Sequence, residues 1–262
     1  PNPFYIICPL HNTKTQKHWL LLYKVAQKFN IFPYLCRPMK KKIQFIILTI
    51  GMILTSACLN SCQEDLPLPE EKLMGNTVIV YMGAENSLYQ MSYGDMEEMK
   101  AALADIPEDC QVVVYRDAQL KPAIFHLAKN KFSTFKEFTS DVNSADPAVM
   151  KSIFREIVNN FPSKKYSLVL WSHGSGWIDE TRAVIVDNER NSSSNSGTWM
   201  SIPDLTSAIS TLPHLEFILF DACYMQSIEV ASQLYQHASY IIGSPTEIPG
   251  EGAPYHLIMK SL

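Results

Sequence analysis

A chain of 262 residues that is 47% hydrophobic and 18% charged is long enough for one ordinary globular domain with a sizeable core plus additional segments. Its net charge of −4 averages two unlike parts, because residues 1–61 hold eight of the 22 Lys and Arg and no Asp or Glu. The remainder carries 14 basic against 26 acidic residues, a net −12, which argues against a nucleic-acid partner, since phosphate binding needs a basic surface. Attraction of basic peptides fits such a body, although a plain solvated acidic surface has the same composition.

Four of the six cysteines, Cys8, Cys36, Cys58 and Cys62, precede residue 63, and only Cys110 and Cys223 fall in the body. No CxxC pair and no regular framework is present, so neither a zinc site nor a disulfide scaffold is indicated.

Residues 1–38 lack an initial Met and show no clear period; they read as upstream sequence joined to a start at Met39. From Met39 a positive start (Lys40, Lys41, Lys42) leads into an apolar run, Ile43 to Leu54, that is too short to span a bilayer comfortably and ends in small residues. Those are the physical features of a secretory signal peptide, here residues 39–61, rather than of an anchor helix. The segment Leu59-Asn60-Ser61-Cys62 resembles a bacterial lipobox, with Cys58 as the competing site. Gln63-Glu64-Asp65 resembles the acidic surface-export signal of Bacteroidetes lipoproteins. The expectation is a protein lipidated at Cys62 and held on the outer membrane by acyl chains without a spanning helix. Residues 62–76, with Pro67, Pro69 and an acidic cluster, then form a tether.

Beyond the tether, short β-branched runs alternate with longer helical ones, which predicts an α/β fold with a mainly parallel sheet and helices on both faces. Thr77 to Met82 is a first strand, Ser92 to Ala104 a helix and Gln111 to Arg116 a second strand. Ala123 to Leu127 and the Phe132 to Phe138 region make a small antiparallel excursion. Pro147 to Asn160 is an amphipathic helix capped by Asp146. Tyr166 to Trp171 and Leu215 to Phe220 are near-continuous apolar runs, as expected of central strands covered on both faces. Helices are expected over Ile202 to Ser210 and Ser227 to Gln236, a strand over Ser239 to Gly243, and a helix opening at Tyr255. Asn188 to Thr198 is a low-complexity polar loop.

Ligands of open α/β sheets collect beyond the carboxyl ends of the strands. Here one central strand runs into Ser172-His173-Gly174-Ser175-Gly176-Trp177 and another into Asp221-Ala222-Cys223-Tyr224-Met225. Were those strands neighbours, a thiol and an imidazole 50 residues apart in sequence would meet. That is what nucleophilic catalysis requires: a thiolate to attack a carbonyl and an imidazole to move the proton. The amides of Gly174 and Cys223 are then candidate oxyanion donors. The plainer alternatives are a buried Cys acting as a small hydrophobe, a His with a structural hydrogen bond, and Asp221 as a strand-end cap. His126, His214, His237 and His256 have no motif context.

Four segments in order resemble the clostripain family of cysteine peptidases: Val78 to Leu88 (VIVYMGAENSL), Leu168 to Trp177 (LVLWSHGSGW), Phe217 to Ala231 (FILFDACYMQSIEVA) and Ser244 to Tyr255 (SPTEIPGEGAPY). The resemblance covers roughly residues 77–258 and implies a caspase-like fold for a domain over 77–262, a His173 and Cys223 dyad, and cleavage after Arg or Lys in peptide substrates. It implies Asp221 as the acid at the base of the S1 pocket, which a basic side chain would pair with. Glu251 stands where the family more often has Asp, and its extra methylene leaves Arg versus Lys preference open. Self-cleavage in the loop after the histidine is a further implication, with Arg190 as the candidate bond. Calcium is the one cofactor the resemblance brings into question, and no DxDxDG loop is visible to place it. Relatives usually continue beyond the point matching Leu262, so a shortened C-terminal part is expected. A catalytically silent, surface-anchored binding lipoprotein on the same fold is the competing function, and an amidase or transpeptidase is a third. No GxGxxG follows the first strand, which weakens a nucleotide-binding reading.

Overall fold

The computed structural model describes residues 73–119, 121–177, 183–188 and 197–262. The segments expected to be signal peptide and tether, apart from residues 73–76, together with Cys62 and Arg190, lie outside the described residues. Nine strands are present among them: β1 (Met74–Gly83), β2 (Cys110–Asp117), β3 (Ala123–Ala128), β4 (Lys131–Glu137), β5 (Ser163–Trp171), β6 (Ala183–Asp187), β7 (Thr198–Ser201), β8 (Leu215–Asp221) and β9 (Ala238–Ile242). The helices are α1 (Tyr89–Ala101), α2 (Pro147–Asn160), α3 (Ile202–Ile209), α4 (Ile228–Leu234) and α5 (Tyr255–Ile258). No described helix is long and apolar enough to cross a membrane.

Seven strands form one sheet in the order β4-β3-β2-β1-β5-β8-β9. β1 is parallel to both β2 and β5, β8 is parallel to β5 and β9, and β3 and β4 fold back antiparallel at one edge. From β1 the chain winds outward to β4, then returns to the other side of β1 and winds the opposite way. The winding therefore reverses between β1 and β5, and ligands of such sheets bind at the carboxyl ends flanking that reversal.

The unbroken apolar runs are explained by burial on both faces. Along β1, Ile79 and Tyr81 enter one core while Val78, Val80 and Met82 enter the other; on β5, Leu168 and Leu170 oppose Val169 and Trp171. α2, α3 and α4 cover the first face, and α1 with α5 the second. Each fully buried large side chain, such as Phe154 or Met99, stabilises the fold by roughly 1.5–3 kcal/mol relative to exposure.

α2 follows its sequence expectation closely. Asp146 accepts a hydrogen bond from the Ala148 amide at 2.7 Å, Pro147 occupies the first turn, and Met150, Ile153, Phe154 and Ile157 are buried. α1 departs from expectation, beginning at Tyr89 rather than Ser92 and ending at Ala101, with a short 3₁₀ turn at Leu103–Asp105. Its buried side includes the polar Ser92 and Asp95, so apolar spacing does not mark where it starts. The β6–β7 hairpin, a separate two-stranded sheet, flanks the polar loop on both sides and was not anticipated as strand. Its five-residue first strand is entirely buried, but so short an apolar run carries little periodicity.

Candidate active site at the strand ends

Because β5 and β8 are adjacent, with Trp171 paired to Asp221, the two motif loops leave the sheet side by side. Their spacing is set by glycine. A Cβ on Gly174 would stand 2.6 Å from the Cys223 carbonyl oxygen, and one on Gly176 would overlap the Tyr224 carbonyl. Gly176 also has φ of +57°, a conformation costly for residues with a Cβ. Tyr224, directly after the thiol-bearing residue, holds φ of 63°, and hydrogen bonds from Tyr224 N to Thr246 O (3.0 Å) and Gln226 N to Ser244 O (2.9 Å) fasten the turn to the loop after β9.

One pocket of about 100 Å³ is lined by His173, Cys223, Asp221, Trp171, Ser172, Leu88 and the Ile248–Gly250 stretch with Gly252. The thiol and the imidazole are both half-buried. Cys223 Sγ accepts a hydrogen bond from the Ile248 amide at 3.4 Å, within the longer range of sulfur acceptors. His173 Nε2 lies 2.8 Å from Ser87 Oγ, and burial pulls the imidazole below its ordinary pKa, favouring the neutral ring that can accept a proton. Among the described residues, neither the Gly174 nor the Cys223 amide donates to a protein acceptor.

Ser87 is the residue that sequence reasoning missed. It follows the β1 end, and β1 is the other neighbour of β5, so strand order alone brings it to the histidine. Asn86 holds that turn: its Nδ2 donates to Gly83 O (2.9 Å), Val186 O (3.0 Å) and Ser172 Oγ (3.3 Å), while its Oδ1 accepts from Leu88 N (2.9 Å). Three strand ends are thereby tied by one amide, which is fully buried. Ile185 adds a strained contact, a β-branched residue at φ of 62° whose amide donates to His173 O at 3.1 Å; such conformations persist where surrounding contacts over-determine them.

Asp221 lies beneath the pocket, 5% exposed. Its carboxylate accepts from the Ala253 amide (3.1 Å) and from Tyr255 Oη (3.0 Å). Burial raises its pKa, and those two donors oppose the rise. Gly252, with φ of +63°, lies against the same carboxylate, where a Cβ would stand 2.8 Å from Asp221 Oδ2. Glu251, between the two lining glycines, is exposed and does not line the pocket. Behind the lining, Trp171 Nε1 donates to Asp95 Oδ2 at 2.7 Å. Burial, reinforced by the charges of Asp221 and Glu98, lifts Asp95 to about 7 despite that hydrogen bond. His126, His214 and His256 bind Gln111, Ser239 and Glu98 respectively, away from the pocket.

Sheet order, helix layers and a thiol and imidazole on neighbouring strand ends together define a caspase-like α/β scaffold. The family model for the clostripain family matches residues 80–262, and the chain belongs to that family. It is 23% identical over 220 residues to clostripain of Hathewaya histolytica, covering 71% of this chain and 42% of clostripain. A secreted C11 cysteine protease from Bacteroides thetaiotaomicron, solved with an irreversible peptide inhibitor, is similar at 38% identity with a TM-score of 0.65, over 71% of this chain and 53% of that one. An inactive zymogen C11 protease from Parabacteroides distasonis matches at 32% identity and a TM-score of 0.61, with the same coverage. The chain thus spans about half the length of these relatives.

Gly176→Ala should lower stability by at least about 2 kcal/mol, the cost of a left-handed conformation plus displacement of the Tyr224 carbonyl, read from the urea midpoint. Asp95 has a folded pKa of about 7 against about 3.9 unfolded, so its contribution to stability is full below about pH 4 and is lost as pH rises through 7. Asp95→Asn should accordingly flatten the decline of unfolding free energy between about pH 4 and about pH 7 relative to wild type.

Proposed function

We propose that the protein is an exported cysteine endopeptidase that cleaves peptide bonds after Arg or Lys, with Cys223 as nucleophile and His173 as base. The observation that carries this reading is the convergence of thiol, imidazole and buried Asp221 carboxylate on one pocket. A basic P1 side chain entering it exchanges water for the Asp221 carboxylate, a pairing that is strong where water is excluded. The extended reach of Arg suits a carboxylate already oriented by Ala253 and Tyr255. Glu251, on the exposed rim, is a secondary acidic contributor.

With Nε2 held by Ser87, Nδ1 is the ring nitrogen left to exchange a proton. The Cys223 thiolate attacks the scissile carbonyl carbon, and the oxyanion that forms is met by the amides of Gly174 and Cys223. The imidazolium then protonates the leaving amine, and the C–N bond breaks to give a thioester. Water, deprotonated by the imidazole, hydrolyses the thioester, releasing the carboxylate product and restoring the thiol.

The irreversible peptide inhibitor of the Bacteroides relative and the zymogen state of the Parabacteroides relative support a peptide-binding site subject to activation. We assign self-cleavage to the bond after Arg190 and lipid attachment to Cys62, which would hold the enzyme at the outer membrane facing peptide substrates.

Fluorogenic peptides with Arg, Lys, Ala or Asp at P1 test the assignment. Hydrolysis after Arg or Lys should fall by at least about 10³-fold in Cys223→Ala, a nucleophile deletion. Asp221→Asn should lose about 30- to 100-fold in kcat/KM for basic P1 alone. Equal cleavage after Ala, or activity surviving Cys223→Ala, would overturn the reading. N-terminal sequencing should find a chain beginning at Asn191 in wild type and none in Cys223→Ala; an intact loop in fully active enzyme rules self-cleavage out.

A further inference from the structure

Behind the pocket wall lies a second carboxylate that the proposed chemistry does not use. Trp171 and Asp221 are register partners on the parallel strands β5 and β8, so their side chains leave the same face of the sheet, and both line the pocket. Asp95, on α1, is buried and is not a lining residue. It meets the pocket through one side chain, accepting from Trp171 Nε1 at 2.7 Å. A buried indole N–H needs an acceptor, and a neutral amide oxygen would serve. The chain instead places an ionisable acid there, on the same side of the sheet as Asp221, and it is the added charge that calls for a physical reason.

The groups around Asp95 are acidic or neutral. Glu98 stands about one turn along α1 and Asp221 on β8, and the charges of both act on Asp95. Tyr255, from α5, donates to Asp221 and keeps its hydroxyl proton well above neutral pH. The cations of the surrounding elements are engaged elsewhere: His256 with Glu98, Arg116 of β2 over the Tyr93 ring, Lys100 with Glu97 and Lys260 with Asp105. Two buried carboxylates therefore adjoin Trp171, and neither has a salt-bridge partner among the described residues.

We propose that Asp95 is a specificity-determining positioning residue of the S1 pocket: it holds the Trp171 indole as a wall and adds, across that wall, a second negative charge that favours a cationic P1 side chain over a neutral one of equal shape. The inference rests on the assignment of Asp221 to S1. In the free protein, burial and the neighbouring acids keep a proton on Asp95 up to about pH 7. A guanidinium drawn to Asp221 offsets that repulsion and favours the ionised form of Asp95. Occupancy by Arg then releases the proton, and occupancy by a neutral side chain does not. By linkage, the preference for a charged P1 is smallest where Asp95 stays protonated in both states, grows as pH rises to about 7, and is full above it.

The test assays the full chain, wild type and Asp95→Asn, on a peptide with Arg at P1 and on its citrulline twin, in which a neutral ureido group replaces the guanidinium, at about pH 5.5 and about pH 8.5. The ratio of kcat/KM for the two peptides cancels the titration of His173 and Cys223, which both substrates share. Asparagine keeps an oxygen for Trp171 Nε1 and removes the charge. At the higher pH the Arg-to-citrulline ratio should fall about 3- to 10-fold in Asp95→Asn, as expected of a unit charge one side chain away at an effective dielectric of about 20; at the lower pH the two proteins should agree. Asp95→Ser, also neutral and able to accept from the indole, gives the same reading should Asp95→Asn fail to fold. A ratio identical in variant and wild type at both pH values overturns this inference alone. Equal loss on both peptides does the same, since it marks a purely structural role. Cleavage of neither peptide by folded wild type overturns the peptidase reading and this inference with it.

Discussion

Two glycines hold the structure of the site together. Gly174 and Gly176 let the loop after β5 lie directly on the carbonyls of Cys223 and Tyr224, and no side chain could stand between those backbones. Close-packed interiors transmit such constraints rather than absorb them. The left-handed Tyr224, the hydrogen bonds to Thr246 and Ser244, and the shared wall carrying thiol and imidazole are all arranged about this contact. The adjacency of β5 and β8 supplies the approach, and glycine supplies its closeness.

Electrostatics divides between the two faces of the sheet. On the α1 and α5 side, Asp95 and Asp221 are buried but provided with donors from Trp171, Tyr255 and Ala253. That makes one acid a fixed support and the other a carboxylate oriented toward a pocket. On the opposite side, Asp117 has no such donor among the described residues and is pushed up to about 9 by burial and by Asp187, Glu85 and Asp141. Buried acids with matched donors behave as structure, while burial of one lacking them favours its neutral form.

Much of this was legible in the residues. Continuous apolar runs such as Leu168 to Trp171 required strands covered on both faces, and they are. The Asp146-Pro147 start of α2 was readable because capping is a local hydrogen bond. The start of α1 was not, since Asp95 is buried for the sake of Trp171, a residue 76 positions away. Strand β6 escaped notice because four apolar residues ahead of Asp187 carry no decisive period, and its bulge at Ile185 breaks even that. Likeness to the clostripain family pointed to His173, Cys223 and Asp221, which line one pocket, and to Glu251, which is exposed beside it.

The sequence by itself determined the α/β class, the clostripain-family membership and which strand ends carry reactive side chains, because these depend on local periodicity and short contiguous motifs. Only the tertiary structure decided that Ser87 meets His173, that Asn86 ties three strand ends, and that Glu85, Asp117, Asp141 and Asp187 converge. Each of those groupings joins residues from separate segments through strand order, and a contact made by strand order leaves no spacing in the chain to be read.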